Sequence, residues 1–177
     1  EEETRLIMSK YKRKLYNADK INDFRELVTR YLNLYSDKVA FEYKKDLSAK
    51  EHIKITYNQF ASDIKALGTA LINLGLSKKK VAIISPNRYE WCTSYLAITT
   101  SDMVVVPLDR ALPDNEIIDL IIRSEAEAVI FDKKYAEVFS SLAVSKKSKL
   151  SHFISMDDLP DFTSYTNLIH KGHSLLV

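Results

Sequence analysis

The stretch from Val81 to Asp109 constrains this chain most. It opens on the apolar run Val-Ala-Ile-Ile at 81–84 and closes on Met-Val-Val-Val at 103–106, with roughly three turns of amphipathic sequence between them. Short apolar runs without polar alternation need burial on both faces, which is how strands of a parallel sheet read. Two such strands joined by a helix make a right-handed β-α-β crossover. The flanks extend that unit. Ala128 to Phe131, ended by Asp132, and His152 to Ser155 read as further buried strands. Helices are expected from Pro113 through about Ser124 and from about Tyr135 to Leu142. The predicted fold is therefore α/β: a doubly wound, mainly parallel sheet with flanking helices.

Ahead of the crossover, Asn22 and Asp23 can cap a helix running to about Leu34. Val39 to Lys44 and His52 to Thr56 predict a hairpin at the edge of the sheet. Thr56 and Gln59 form a reciprocal capping pattern for the next helix. Its apolar positions Phe60, Ile64, Leu67, Leu71 and Leu74 share one face, and Gly75 with Leu76 ends it. Gly68 within that helix implies close approach of another backbone. Asn87 is the expected cap of the crossover helix, with Glu90 in its third position. Helix 113–124 carries Ile117, Ile118, Leu120, Ile121 and Ile122, an arc wide enough to predict packing on two sides. Beyond Asp157 the pattern weakens, with a short helix near Tyr165 to His170.

Residues 1–20 are expected to form a polar extension and residues 21–177 a single α/β domain. A basic cluster at Lys10, Lys12, Arg13 and Lys14 reads mainly as a solvated extension, with a peripheral membrane contact as the functional alternative. Net charge is +2, with 26 basic and 24 acidic residues, which gives no reason to expect a nucleic-acid partner. Lys78 to Lys80 read as a solvated turn. The single cysteine, Cys92, leaves no internal disulfide and suits a reducing, cytoplasmic setting. The acidic start Glu1-Glu2-Glu3 does not read as a signal peptide, and no apolar run reaches the roughly 18 residues of a membrane span.

The chain holds only three glycines, where average usage of about 7% predicts roughly a dozen. None sits in a loop able to cradle a phosphate. No serine, cysteine or lysine has a nucleophile setting, and Cys92 reads as a small packed residue. His170 and His173 lack the further ligands that would complete a metal site. Asp109 and Asp132 follow strands, at the edge where α/β sheets bind ligands, yet an aspartate there is more often a turn or cap residue. Arg88 and Trp91 read as an ion pair with glutamate and a packing residue. The residues by themselves assign no catalytic, cofactor-binding or metal-binding position.

Several runs are more specific. They are Ile55-Thr56-Tyr57-Asn58-Gln59-Phe60, Ala66 to Leu76, Ser85-Pro86-Asn87-Arg88-Tyr89-Glu90-Trp91, Val104 to Asp109, Leu112-Pro113 with Glu116-Ile117, and Ser124-Glu125-Ala126. Together they resemble the N-terminal part of the adenylate-forming, AMP-binding superfamily, and its long-chain fatty-acyl-CoA synthetases in particular. The resemblance is firm over about residues 20–135 and fades toward 177. It implies the N-terminal subdomain of an acyl-CoA synthetase-like fold. It also implies a parent enzyme that turns ATP, fatty acid and CoA into acyl-CoA, AMP and pyrophosphate through an acyl-adenylate. ATP, magnesium and CoA are the cofactors implied for that parent, and the partner implied for this stretch is the remainder of its own chain. The phosphate loop and later motifs are unmatched, so the chain is expected to be a fragment that is inactive alone, cytoplasmic or at a membrane surface. The alternative is a stand-alone α/β binding or regulatory module without catalysis.

Overall fold

A computed structural model describes residues 20–44 and 48–176. The basic cluster at 10–14 lies outside these residues. Helix α1 (Phe24–Tyr35) starts where Asp23 accepts the Glu26 amide at 2.8 Å, and the Glu26 carboxylate returns to the Asn22 amide at 2.9 Å. Strands β1 (Val39–Tyr43) and β2 (Ile53–Thr56) pair antiparallel, as the alternation predicted. They form a two-stranded sheet of their own, however, and do not join the edge of the main sheet. The reason is aromatic packing. Phe41 meets Phe60 at 4.9 Å and Tyr89 at 5.2 Å between ring centroids, which fixes the hairpin over the helices.

Helix α2 (Tyr57–Asn73) begins at Thr56, whose hydroxyl accepts the Gln59 amide at 3.2 Å. The reciprocal half of the expected cap does not form, because Gln59 donates instead to Asp63 at 2.7 Å. The helix ends in a Schellman turn. Gly75 takes φ of 83°, its amide reaches the Ile72 carbonyl, and the Leu76 amide reaches the Leu71 carbonyl.

The core is a parallel sheet of β3 (Lys80–Ile84), β4 (Val104–Pro107), β5 (Ala128–Phe131), β6 (His152–Ser155) and the two-residue β7 (Thr163–Ser164), in the order β4-β3-β5-β6-β7. Helices α3 (Tyr89–Thr100), α4 (Asp114–Ser124) and α5 (Ala136–Ser145) connect the first four strands, a single 3-10 turn at Lys133–Tyr135 leading into α5. Period-two alternation divides the strands between two cores. Val81, Ile83, Ala128 and Ile130 face α2 and α3, whereas Ala82, Ile84, Val129 and Phe131 face α4 and α5. The sheet is doubly wound.

Three local expectations change. Arg88, not Asn87, occupies the position before α3, and no side chain caps that helix. Helix α4 packs on one face only, through Ile117 and Ile121, and leaves Ile122 exposed. The C-terminal helix α6 (Tyr165–Leu175) is longer than its weak periodicity suggested. It lies so close to α2 that a methyl group on Gly172 would run into the Ala66 backbone. Glycine here substitutes backbone approach for the apolar stripe from which a helix is ordinarily read. Gly68 plays the related role toward α3, where an added methyl would meet the Ser101 side chain and, at 3.3 Å, the Ala97 carbonyl oxygen.

Candidate functional site

In sequence order the sheet reads 2-1-3-4-5, so its topological switch point falls between β3 and β5. Ligands of open α/β sheets bind outside the carboxyl ends of the strands at that place. Here Arg88 follows β3, Asp132 follows β5 and Asp157 follows β6, and parallel register brings all three to one edge. The guanidinium Nη1 of Arg88 donates to Asp132 at 2.9 Å and to Asp157 at 3.1 Å, and its Nε donates to Glu90 at 2.7 Å. A longer bond runs from Nη2 to the Met156 carbonyl at 3.4 Å. Burial works against the charge on Arg88. The bonds and field of Glu90, Asp157 and Asp132 outweigh it and hold the guanidinium pKa above its ordinary value.

The carboxylates are occupied a second time. Asp132 accepts the Lys134 amide at 3.0 Å and so caps the 3-10 turn, while Asp157 accepts the Lys133 amide at 2.9 Å. This cluster joins the ends of three adjacent strands, a clamp at the position where such folds commonly open a crevice. The structural reading of Arg88 with Glu90 holds, as does that of Asp132. Asp109 likewise makes a turn, its carboxylate accepting the Ala111 amide at 2.8 Å. Asp157 was missed from sequence. Its signal resembles that of Asp132: an acid within two residues of the end of a parallel strand.

A cleft of about 930 Å³ opens beside the clamp, walled by Phe41 and Tyr43 of the hairpin and floored by Arg88, Asp132 and Asp157. Cys92 lines it half-buried, and burial raises its thiol pKa, which disfavours the thiolate. Behind it lies a second network. Asp63 accepts from the Tyr89 hydroxyl at 2.8 Å and stands 3.2 Å from His173 Nε2, tying α2, α3 and α6 together. Burial, then the Asp63 charge, raises the Tyr89 pKa. His173 thus faces a carboxylate across a helix interface, and among the described residues no three His, Cys, Asp or Glu side chains converge on a metal position. Trp91 stacks on Tyr95 at 5.4 Å and packs against the core.

The described lining of the cleft mixes charges, Lys44, Arg88 and Lys133 against Glu42, Glu90, Asp132 and Asp157. Arg88 is the best-placed cation, and three carboxylates already surround it. Among the described residues no glycine loop presents a run of free backbone amides there. At this edge the guanidinium and its carboxylates satisfy one another.

Comparison with known proteins places the fold. The solved long-chain-fatty-acid-CoA ligase of Archaeoglobus fulgidus superposes on it with a TM-score of 0.77 at 14% identity, covering 92% of this chain and 33% of that one. Among curated proteins, 4-hydroxybutyrate–CoA ligase 2 of Metallosphaera sedula is 27% identical over 138 residues, 77% of this chain and 23% of the relative. Long-chain-fatty-acid–CoA ligase 5 of Mus musculus is 32% identical over 112 residues, 60% of this chain and 16% of the relative. The chain therefore spans less than a quarter of the length of these two curated relatives. The AMP-binding enzyme family matches residues 28–171, from the middle of α1 to the last turns of α6 and so through every strand of the doubly wound sheet, and the chain belongs to that family.

Proposed function

We propose that this chain is the N-terminal subdomain of a long-chain fatty-acid–CoA ligase. The parent would join a fatty acid to AMP at the expense of ATP, releasing pyrophosphate, and then pass the acyl group to the thiol of CoA. The AMP-binding family match over residues 28–171 supports the adenylate-forming part of this reading, and the likeness to the long-chain-fatty-acid–CoA ligase of Mus musculus supports the long-chain part. The chemistry of the chain supports the subdomain role. The Arg88 clamp occupies its switch-point edge, and its three glycines lie within helices α2 and α6 or at the end of α2, not in a phosphate loop. The part played by residues 20–176 is then structural: a preformed sheet edge and cleft against which later segments of the parent complete the site. ATP, magnesium and CoA would be held by those segments.

ATP–pyrophosphate exchange tests the proposal, measured on the protein expressed from its whole gene with fatty acids of increasing chain length. Exchange should peak with a long-chain acid, and residues 1–177 alone should give none. Exchange by residues 1–177 alone would overturn the subdomain reading. Preference of the whole protein for a short or aromatic acid would overturn the long-chain assignment.

A further inference from the structure

The overall charge of +2 conceals a local concentration of lysine at one edge of the sheet. In a parallel sheet, every loop that precedes a strand lies at the same edge. Lys78, Lys79 and Lys80 lead into β3, and Lys146, Lys147 and Lys149 lead into β6. Between them, Arg123, Glu125 and Glu127 lead into β5, and Asp102 leads into β4. The loops leading into β3, β4, β5 and β6, with the last turn of α4, thus carry seven basic and three acidic side chains, a net charge of +4. The carboxyl edge carries both signs, Arg88, Arg110, Lys133 and Lys134 against Glu90, Asp109, Asp132, Asp157 and Asp158, and so lacks a comparable excess of positive charge.

Contacts show that the basic loops form one continuous surface. Lys79 pairs with Glu127 at 2.9 Å, Lys80 donates to the Ser124 carbonyl at 2.8 Å, and Lys149 pairs with Glu125 at 2.8 Å. These bonds hold the three loops side by side. Lys78, Lys146 and Lys147 are exposed and have no ion-pair partner among the described residues. Apolar side chains stand among them. Val144, just before Lys146, is 84% exposed, and Val104 at the start of the edge strand is 53% exposed.

The geometry points to this amino-terminal edge as a docking surface for an anionic lipid bilayer. Lysines act as point charges that follow a diffuse negative surface, whereas nucleic-acid sites favour the bidentate fork of arginine and aromatic rings that stack on bases. The three loops carry six lysines, one arginine and no aromatic residue. Exposed valines beside the lysines suit partial burial at the headgroup boundary. Among the described residues no helix is long and apolar enough to cross a membrane, so the contact is peripheral. The surface lies at the far side of the sheet from the Arg88 cleft, which leaves that edge free to face the rest of the parent.

Vesicle sedimentation of the protein expressed from its whole gene tests this. Vesicles of pure phosphatidylcholine are compared with vesicles containing about one third phosphatidylserine, a ratio for which each lysine near the surface should contribute about fivefold in partitioning. Binding should require the anionic lipid and weaken as salt shortens the Debye length. Lys78→Gln, Lys146→Gln and Lys147→Gln together should lower partitioning about 100-fold, and the Lys146→Gln, Lys147→Gln pair about 25-fold, with unchanged thermal unfolding. Lys134→Gln at the opposite edge should have no effect. Equal binding to neutral vesicles, or lysine variants that bind within twofold of the parent, would overturn the proposal. So would tighter binding to a DNA duplex than to the anionic vesicles, which would make nucleic acid the partner.

Discussion

Replacing Gly172 with alanine separates the logic of an isolated helix from that of the packed molecule. In a solvated helix the change stabilises by about 0.8–1 kcal/mol, because alanine loses less backbone entropy than glycine. In this structure the new methyl meets the carbonyl oxygen, the carbonyl carbon and the Cα of Ala66, the last at 2.9 Å. Non-bonded carbon atoms settle at about 3.5–4.0 Å, and a helix backbone has no rotamer into which it can retreat. Helix α6 must therefore move away from α2 by about 1 Å or more at this point. That motion loosens Leu168 and Tyr165, which lie on the same face and are both nearly buried. Overpacking of this kind costs about 1–3 kcal/mol, and partial exposure of two large side chains adds to it. The helix-propensity gain offsets part of this, leaving a net loss of about 1–3 kcal/mol. Urea unfolding followed by circular dichroism measures the difference. Gly68→Ala serves as a contrast: the Ser101 hydroxyl can rotate aside, which leaves only the Ser101 Cβ at 3.0 Å and the Ala97 carbonyl oxygen at 3.3 Å to give by a few tenths of an ångström, so its cost should be smaller, about 1 kcal/mol. A Gly172→Ala protein as stable as the parent, or more so, would refute the close packing of α6 on α2.

Two further outcomes follow from the site. Arg88→Ala leaves Asp132, Asp157 and Glu90 facing one another, and should cost about 2–4 kcal/mol, less than a fully buried ion would because Arg88 keeps a quarter of its surface in solvent; Arg88→Lys should recover part of that loss, and an alanine variant within about 0.5 kcal/mol of the parent would show that the clamp does not hold the strand ends. Burial raises the pKa of Tyr89 and of Tyr165 above the ordinary value of 10, so their neutral forms contribute stability that is complete below pH 10 and lost as pH rises toward the folded-state values; unfolding free energy should fall by about 1.4 kcal/mol per pH unit for each tyrosine in that window, and Tyr165→Phe should flatten the slope by one tyrosine's share.

Much of the fold was legible because its signals are local. Buried parallel strands are short apolar runs, and Val81–Ile84 and Ala128–Phe131 could hardly be anything else between polar turns. Gly75 and Leu76 spell a helix end within two residues. The same locality explains the failures. Gln59 had the right spacing to complete a cap, but an aspartate one turn on competes for its amide group. The apolar arc of α4 predicts two-sided burial, although the sheet offers it one face and Ile122 is left in solvent.

The sequence by itself determined the alternation of strands and helices, the lack of a phosphate loop in the stretch and the family resemblance, since each is written in neighbouring residues. Only the tertiary structure decided what those elements do together. Arg88 finds its acids 44 and 69 residues away, at strand ends that become neighbours through parallel pairing. The lysines before β3 and β6 are far apart in the chain, yet the same pairing sets them on one edge and gathers positive charge there in a chain of nearly neutral composition. Helix α6 shows only weak apolar periodicity, but a single glycine lets its backbone reach that of α2. Propensity acts within a few residues, whereas charge clusters and close backbone approach depend on which strand ends and helix faces the fold brings together.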